Sequence, residues 1–219
     1  MITNKTFSFL KDLKAHNNRD WFTANKSRLE EAKGEFESFI AELIPHIATF
    51  DPPIIELEPK QCIFRIYRDT RFSKDKAPYK TNFGAHMVAG AKKPHGAAGY
   101  YVHVEPGNAF LAGGAYLPPA SWLQGIRRSI DRHGEKLDRI LKSTSVKTYF
   151  GQMEGETLKT RPKGYSEDHP YIELLRHKSF LAVHNVSNKD AVSTHFLKHA
   201  VKVFKALKPF NDFLNQSLE

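Results

Sequence analysis

The sequence predicts an α+β fold, in which an antiparallel sheet of about five strands is packed by long N-terminal, middle and C-terminal helices. Two observations predict it. Apolar residues recur at three- and four-residue steps in three long stretches, and between the first two stretches the period changes to two. With 219 residues, 40% of them hydrophobic, the chain can form a sizeable core, so we predict one domain over residues 1–219.

Helical periodicity begins near the N-terminus. A short helix is predicted around residues 7–13, and a long amphipathic helix is predicted over residues 18–50. Asn17 or Asn18 can cap the long helix through a side-chain oxygen, and Asp51-Pro52-Pro53 ends it.

Alternating apolar and polar residues predict four strands, at residues 61–67, 82–88, 100–105 and 109–115, and an apolar segment at residues 180–186 suits a further strand. Pro106-Gly107-Asn108 contains residues that tolerate a tight turn, so the third and fourth strands should form a hairpin. Residues 90–99 are small and polar, which predicts a mobile loop able to act as a lid.

Two further long helices are predicted beyond this hairpin. The middle helix begins at Pro118-Pro119, since proline is tolerated in a first helical turn, and continues to Leu141. A short helix near residues 170–177 precedes the last strand. The C-terminal helix has an apolar face from Val192 to Leu207 and is expected to end where Pro209 interrupts it.

The composition limits the class of protein. The formal charge of +9 favours polyanionic partners on electrostatic grounds, although solubility alone could explain it. The single cysteine, Cys62, excludes an intrachain disulfide and a multi-cysteine zinc site, and its apolar neighbours predict a core position. No apolar run is long enough to cross a bilayer and no signal-peptide core follows Met1, so we expect a cytoplasmic protein with no membrane partner.

The most informative segment is residues 65–80, where cations alternate with aromatic side chains. Six cations stand against two carboxylates, an excess of four positive charges. Guanidinium groups form two-pronged hydrogen bonds with phosphate or carboxylate. We therefore predict a site for an anionic, phosphate-bearing ligand, with a nucleotide or nucleic acid as candidate partner. The aromatic residues Tyr67, Phe72 and Tyr79 suit either stacking on a nucleobase or cation–π contacts with the protein's own arginines.

The predicted ligand-binding residues are Arg68, Asp69, Arg71, Ser73, Lys76, Tyr79 and Lys80. Strand alternation places Arg65 and Arg68 on opposite faces, so Arg65 is interpreted as a structural ion-pair partner. Nearby cations should lower the pKa of both carboxyl groups, Asp69 and Asp75, which predicts that they orient arginines rather than act as bases. The competing interpretation makes the whole segment a solvated sheet edge.

His103 and Glu105 form a second candidate pair. They lie two residues apart on a predicted strand and should share a face with Tyr101. This spacing suits an acid–base pair, or metal ligation with His86 as third ligand, but with 11 histidines in the chain an ordinary strand pair is the favoured interpretation. The sequence identifies no metal site, cofactor or catalytic residue. It contains neither a His-Glu-x-x-His nor a Gly-x-Ser-x-Gly motif.

The chain resembles a family of bacterial and fungal proteins called domain of unknown function 2461. The resemblance rests on residues 17–22 (NNRDWF) with Lys26, residues 64–76 (FRIYRDTRFSKDK) with 78–80 (PYK), and residues 162–164 (PKG) with 169–170 (HP). It covers nearly the whole chain, which implies one domain, and it assigns no role to any residue.

Three hypotheses about function follow. The first is a protein that binds a phosphate-bearing ligand through residues 68–80. The second is an enzyme acting on a phosphorylated or carboxylated small molecule, with Asp69, Asp75, His103 or Glu105 supplying acid–base or metal chemistry. The third is an interaction module that docks an acidic protein surface. The sequence leaves the oligomeric state open.

Overall fold

The structure is a computed structural model and describes residues 1–71, 73–89 and 96–218. Its helices are α1 (Asn4–Ala15), α2 (Arg19–Ala24), α3 (Lys26–Ala48), α4 (Pro59–Cys62), α5 (Ala120–Lys142), α6 (Thr144–Tyr149), α7 (Ile172–Leu175), α8 (Asn188–Ala191) and α9 (Phe196–Asn215). Its strands are β1 (Phe83–Met87), β2 (Gly99–Val104), β3 (Ala109–Ala115) and β4 (Phe180–Val186), and short 3₁₀ turns cover Pro52–Glu56 and Gln216–Leu218.

The α+β class is confirmed. The described residues form an antiparallel sheet of four strands in the order β1-β2-β3-β4, one fewer than the predicted number. The predicted first strand, residues 61–67, is the difference. Its start lies in α4, which Pro59 initiates at the first helical position. The extended residues that follow pair only through isolated bridges, Ile63 with Ala85 and Tyr67 with Tyr79.

The other strand predictions are confirmed to within two residues. Between β2 and β3, Gly107 has a φ of +79° and the Asn108 N–H donates to the Glu105 carbonyl at 3.1 Å. This is the tight turn that glycine and asparagine predict, because glycine adopts positive φ without strain. The first six positions of the predicted lid (residues 90–99) lie outside the described residues.

The long N-terminal helix is interrupted once, contrary to prediction. Asn18 caps α2, since its side-chain oxygen accepts from the Trp21 N–H at 2.9 Å. Asn25 then leaves the helical region (φ −107°, ψ 23°), and its amide donates to the Trp21 carbonyl at 2.9 Å. An asparagine side chain that bonds its local backbone competes with the helix in this way. The chain resumes as α3.

The C-terminal helix corrects a second prediction. Pro209 does not interrupt α9, which continues to Asn215. Beyond the proline, Phe210 and Leu214 are fully buried, and this burial offsets the hydrogen bond that proline removes. The start of the helix also differs, because Val192 lies just after the short helix α8 rather than in α9. The middle helix α5 begins directly after Pro119, as predicted.

Contacts divide the chain into two compact units, whose boundaries fall just after β1 and inside β2, β3, β4 and α9. Unit 1 comprises residues 1–87, 101–111 and 185–202, and unit 2 comprises the rest. The predicted single domain over residues 1–219 stays a prediction. Among the described residues, no helix has the length and apolar character needed to cross a membrane.

Unit 1 has a core between α3 and its neighbours. Phe36 of α3 stacks on Phe83 of β1 with ring centroids 5.6 Å apart, and Phe39 stacks on Phe196 at 5.0 Å. Glu35 fixes the start of α1, because its carboxylate accepts from the Thr3 N–H at 2.9 Å and from the Thr3 hydroxyl at 2.7 Å. All residues of the candidate site described below belong to this unit.

Unit 2 is held by hydrogen bonds from long side chains to backbone carbonyls. The Trp122 indole donates to the Leu214 carbonyl at 3.1 Å, and the Asn211 amide donates to the Gly99 carbonyl at 3.0 Å. The Arg127 guanidinium donates to the carbonyls of Leu175 and His177. These bonds satisfy helix and strand ends that would otherwise be buried without partners.

Candidate functional site

The basic segment, residues 65–80, closes on itself through its backbone; Phe72 within it lies outside the described residues. The Lys80 N–H donates to the Ile66 carbonyl at 2.7 Å, and the Arg68 N–H donates to the Pro78 carbonyl at 2.9 Å. These bonds flank the bridge between Tyr67 and Tyr79. The described residues between them, 68–71 and 73–78, therefore form a loop, here called the basic loop, with Lys80 at its base.

Asn17 anchors the end of this loop to the N-terminal helices. Its amide donates to the Tyr79 carbonyl at 3.0 Å and its oxygen accepts from the Tyr79 N–H at 3.1 Å. The Tyr79 ring is only 5% exposed and stacks on Phe22 with centroids 3.7 Å apart and planes 8° from parallel. Tyr79, predicted to contact a ligand, therefore has its ring in the core, and it fixes the position of Lys80 next to it.

Arg68 is held inside the basic loop. Its guanidinium donates to the Asp75 carboxylate, to the Ala77 carbonyl at 3.2 Å and to the Ser73 hydroxyl at 3.4 Å. The structure thus brings together two of the predicted ligand residues, Arg68 and Ser73, but their hydrogen bonds are made to each other and to the loop. Asp75 orients this arginine, as predicted. A chain that curls back in this way satisfies a guanidinium without any ligand.

Asp69 and Arg71 form a second pair at the outer edge of the loop. The Arg71 Nε and Nη2 donate to the two Asp69 oxygens at 3.0 and 2.7 Å. These bonds lower the pKa of Asp69, and the Ala77 N–H together with Arg68 lowers the pKa of Asp75. Both pKa values are lowered, which is the direction that the sequence predicts.

Lys76 and Arg71 are the outward-facing cations of the predicted set. The Lys76 ammonium donates to the Thr70 carbonyl at 3.0 Å, and the Arg71 side chain is 77% exposed. Both side chains are long and contact solvent, so both can change partner when an anion approaches.

Lys80 combines a half-buried position with the lack of an ion pair among the described residues, and Arg65 lies close enough to affect the pKa of Lys80. Neither has a carboxylate oxygen within 4.0 Å in the part of the chain that the structure describes, so Arg65 forms no direct ion pair there, although its charge contributes to the lowered pKa of Asp69. The Lys80 ammonium lies 5.4 Å from the centroid of the Phe64 ring, in a half-buried position. Burial, with a smaller repulsion from Arg65, lowers the pKa of Lys80. A cation held this way lacks the counter-charge that buried charges normally have.

A hydrogen-bonded chain of three side chains lies on the neighbouring strand β2 and is here called the polar relay: Tyr101, His103 and Glu105. The Tyr101 Oη lies 3.0 Å from His103 Nδ1, and His103 Nε2 lies 3.4 Å from a Glu105 oxygen. Residues 101 and 103 are half-buried and alternate with buried residues, so they share one face of the sheet, as the sequence predicts.

The neighbours of His103 determine its protonation. Its Nδ1 faces two donors, the Tyr101 hydroxyl and the Asn82 amide at 3.4 Å, whereas its Nε2 faces a carboxylate. A neutral imidazole with the proton on Nε2 satisfies all three contacts. Burial lowers the pKa of His103 although Glu105 opposes this effect, so the neutral form is retained near pH 7.

Glu105 and Tyr101 have opposite pKa shifts. Burial alone would raise the pKa of Glu105, but hydrogen bonds from Asn108 at 3.0 Å and Thr81 at 2.8 Å outweigh it and lower the pKa. Burial, with the Glu105 charge, raises the pKa of Tyr101 to about 12. The polar relay therefore consists of a neutral phenol, a neutral imidazole and an ionised carboxylate.

Packing holds the polar relay in this geometry. His103 stacks on Phe110 with centroids 4.4 Å apart and planes 10° from parallel. A Cβ atom at Gly84 would lie 2.6 Å from the Tyr101 Oη, so only glycine leaves room for the phenol. Phe64 contacts Tyr101, with centroids 6.2 Å apart, as well as Lys80. One aromatic ring thus adjoins both the relay and the unpaired lysine.

Other predicted features take no part in this arrangement. In the described ranges, no group of three or more His, Cys, Asp or Glu residues could hold a metal ion, so His86 does not complete a metal site with His103 and Glu105. Burial raises the pKa of Cys62 to about 11, as expected for a core thiol. In unit 2, His169 uses both ring nitrogens locally, with Asp131 and with the Tyr171 N–H.

Sequence reasoning missed the supporting residues. Asn17, Asn82 and Thr81 contribute hydrogen bonds to the site, whereas the sequence suggested only a helix cap for Asn17 and a strand position for Asn82. Asn17 is 62 residues from its partner Tyr79, and only the folded chain brings the two together. The period-two pattern of β2 was the one signal that pointed to Tyr101.

The fold and site define an α+β protein in which a self-bonded basic loop adjoins a hydrogen-bonded phenol, imidazole and carboxylate. The family comparison matches residues 5–213 to the model described as conserved hypothetical protein (DUF2461). The chain belongs to this family, and the resemblance in its sequence motifs is confirmed. Comparisons with curated proteins and with solved structures gave no match.

Proposed function

We propose that this protein binds an anionic, phosphate-bearing ligand at the base of the basic loop, where Lys80 and Arg65 meet the anion. The observation that carries the proposal is the half-buried Lys80 ammonium, which has no carboxylate within 4.0 Å among the described residues. Arg65 adds a second positive charge close enough to lower the pKa of Lys80. Two adjacent cations with no carboxylate within 4.0 Å in the described ranges attract an anion, although Asp69 acts on Arg65 from a longer distance.

The contribution of Lys80 to affinity follows from the free-energy cost of leaving its charge unpaired. An unpaired charge in a partly buried position loses hydration, and the lowered pKa of Lys80 reports that loss. A phosphate oxygen bound to Lys80 forms a charge-assisted hydrogen bond worth about 1.5–3 kcal/mol. Loss of that bond weakens affinity by about 10- to 150-fold, since each 1.4 kcal/mol is a factor of ten.

The remaining predicted residues take supporting roles in this proposal. Arg68, Ser73 and Asp75 hold the shape of the basic loop, and Tyr79 anchors it to the core. Asp69 competes with the ligand for Arg71, so a phosphate must exchange with that carboxylate to recruit Arg71. Lys76 can join by leaving a carbonyl, which costs less because a carbonyl carries no net charge.

A nucleotide or nucleic acid is the proposed source of the phosphate. Tyr67 is 55% exposed and lies beside the loop, with an edge contact to Phe22 at 5.9 Å between centroids. An exposed aromatic ring beside cations suits stacking on a base. A cytoplasmic location, where such ligands are abundant, is part of the proposal.

A thermal-shift series tests the proposal with inorganic phosphate, pyrophosphate, nucleotides and short oligonucleotides. Lys80→Ala and Arg65→Ala are compared with Lys33→Ala, which removes the same charge from an exposed position on α3. We expect ligand-dependent stabilisation in the wild type and in Lys33→Ala, and its loss in Lys80→Ala. Equal stabilisation in all of these proteins, or none in any, contradicts the proposal.

Two salt concentrations separate the classes of ligand. Binding of a polymer through several phosphates weakens steeply with salt, because counterions are released from the nucleic acid. A single phosphate beside Phe64 and a half-buried lysine should respond less. A stabilisation that survives added salt therefore favours a nucleotide or another small phosphate, and one that disappears favours nucleic acid.

An enzyme acting on a phosphorylated or carboxylated small molecule is the second candidate. The hydrogen bond between His103 and Glu105, close to a ring that also contacts Lys80, favours it. Turnover of a phosphate-ester panel that falls in Glu105→Gln supports this candidate, and equal turnover in both proteins counts against it. No contact in the described residues favours the interaction-module hypothesis, which stays a prediction.

A further inference from the structure

The polar relay has a direction that its hydrogen bonds fix. Two donors face His103 Nδ1 and one carboxylate faces Nε2, so the available lone pair of the imidazole points at the Tyr101 hydroxyl. A base held against a hydroxyl and oriented by a carboxylate is the arrangement that activates hydroxyl groups in enzymes. Here the activated hydroxyl is a phenol.

We propose that Tyr101 Oη is the proton-transferring group of a catalytic relay formed by Tyr101, His103 and Glu105, acting on a hydroxyl group of a phosphorylated small molecule. The substrate class rests on the proposed function, because Lys80 supplies the phosphate contact. Phe64 adjoins both groups, with its centroid 6.2 Å from that of Tyr101 and 5.4 Å from the Lys80 ammonium. A small molecule that spans Phe64 reaches both ends of the site.

The proposed step moves two protons and no other atom. The substrate hydroxyl gives its proton to Tyr101 Oη, and the phenolic proton passes over 3.0 Å to His103 Nδ1. The products of the step are a substrate alkoxide and an imidazolium. Glu105 stabilises the imidazolium through Nε2, and its own orientation is held by Thr81 and Asn108. Return of the protons restores the starting state.

The two protons must move together. Burial raises the pKa of Tyr101 to about 12 and lowers that of His103, so a phenolate beside an imidazolium does not accumulate in the resting protein. Concerted transfer of the two protons avoids that intermediate. Part of the Tyr101 side chain remains exposed, so a substrate can approach it.

A purely structural hydrogen-bond chain would look similar at rest, but it would not activate the phenol. Reaction with phenylmethanesulfonyl fluoride distinguishes the two. The Tyr101 Oη bonds to sulfur, the S–F bond breaks, fluoride leaves, and the phenolic proton passes to His103. Tyr116 is the internal reference, since it is 55% exposed and belongs neither to the relay nor to the proposed ligand site. Tyr67, equally exposed but beside the basic loop, is compared only in the absence of phosphate.

We expect Tyr101 to be labelled at least about tenfold faster than Tyr67 and Tyr116, despite its lower exposure, because general-base assistance exceeds that factor. His103→Gln should abolish the excess and Glu105→Gln should reduce it, while His46→Gln, at an exposed position on α3, leaves it unchanged. Each variant is checked for an unchanged melting temperature. Labelling of Tyr101 no faster than Tyr67 and Tyr116, or an excess that survives in a folded His103→Gln protein, overturns the relay.

Inorganic phosphate added to the same reaction separates the relay from the proposed function. Slower labelling of Tyr101 in the wild type, but not in Lys80→Ala, supports the substrate class. Fast labelling that phosphate leaves unchanged overturns the substrate class and the phosphate site while the relay stands. Slow labelling overturns the relay whatever phosphate does.

Discussion

Asn17→Ala is the substitution that tests most directly how the basic loop is attached to the core. The Asn17 side chain makes two hydrogen bonds to the backbone of Tyr79, at 3.0 and 3.1 Å. Alanine removes both and leaves the Tyr79 N–H and carbonyl without these partners. The next residue along the chain is Lys80, so the substitution loosens the proposed ligand site as well as the fold.

The magnitude follows from the two bonds. Each backbone hydrogen bond from a neutral amide contributes about 0.5–1.5 kcal/mol net, so the free energy of unfolding should fall by about 1–3 kcal/mol. In a chain of this length each kcal/mol lowers the melting temperature by about 2–4 °C. Asn4→Ala is the control, because Asn4 is exposed on the first turn of α1.

Urea unfolding followed by tryptophan fluorescence measures both variants. Trp21 and Trp122 report from units 1 and 2 respectively, so a transition seen by one alone can be recognised. A loss in Asn17→Ala of less than about 0.5 kcal/mol, equal to that in Asn4→Ala, would refute the anchoring role.

Three further outcomes are expected. Gly84→Ala should destabilise the protein by about 1–3 kcal/mol and displace Tyr101 from His103, because the new Cβ atom would lie 2.6 Å from the phenol oxygen. An unchanged histidine NMR spectrum would contradict this prediction. Burial would raise the pKa of Glu35, but hydrogen bonds from the Thr6 hydroxyl and from Thr3 outweigh burial and lower the pKa below 4.5. The ionised Glu35 carboxylate therefore stabilises the fold above pH 4.5, and this stabilisation is lost as the pH falls through the lowered pKa. The stability gap between wild type and Glu35→Gln should therefore shrink in acid, and a constant gap in pH-dependent urea melts would count against it. Cys62, buried and with its pKa raised to about 11, should react with a disulfide reagent at pH 8 only after unfolding.

Much of the fold could be predicted from local patterns. The hairpin between β2 and β3 follows from Gly107 and Asn108, whose conformational preferences act within the turn itself. The predictions for the end of the C-terminal helix and for a strand at residues 61–67 failed, because tertiary packing determines the structure there. The chain passes through Pro209 because the apolar residues beyond it are buried, and no local signal shows that burial. Residues 61–67 alternate like a strand but find only single-residue bridges as partners.

The candidate site, too, could be predicted only in part from the sequence. The excess of cations in residues 65–80 is visible in the sequence, but the pairing of those cations depends on how the loop curls. Arg68 reaches Asp75, seven residues on, whereas Arg65 forms no ion pair within 4.0 Å among the described residues and acts on Asp69 only from a longer distance, through its charge. Strand alternation assigned these two arginines the opposite roles, because it assumed a regular strand where the chain bends at Ile66.

The titration of Lys80 tests most directly whether this half-buried lysine binds an anion. In protein with isotope-labelled lysine side chains, NMR should give Lys80 a pKa below 10.5, the ordinary value for lysine, and saturating inorganic phosphate should raise it, because an anion favours the protonated amine. The Lys33 signal serves as the reference and should not move. A Lys80 signal that titrates like that of Lys33, and does not respond to phosphate, would contradict the account.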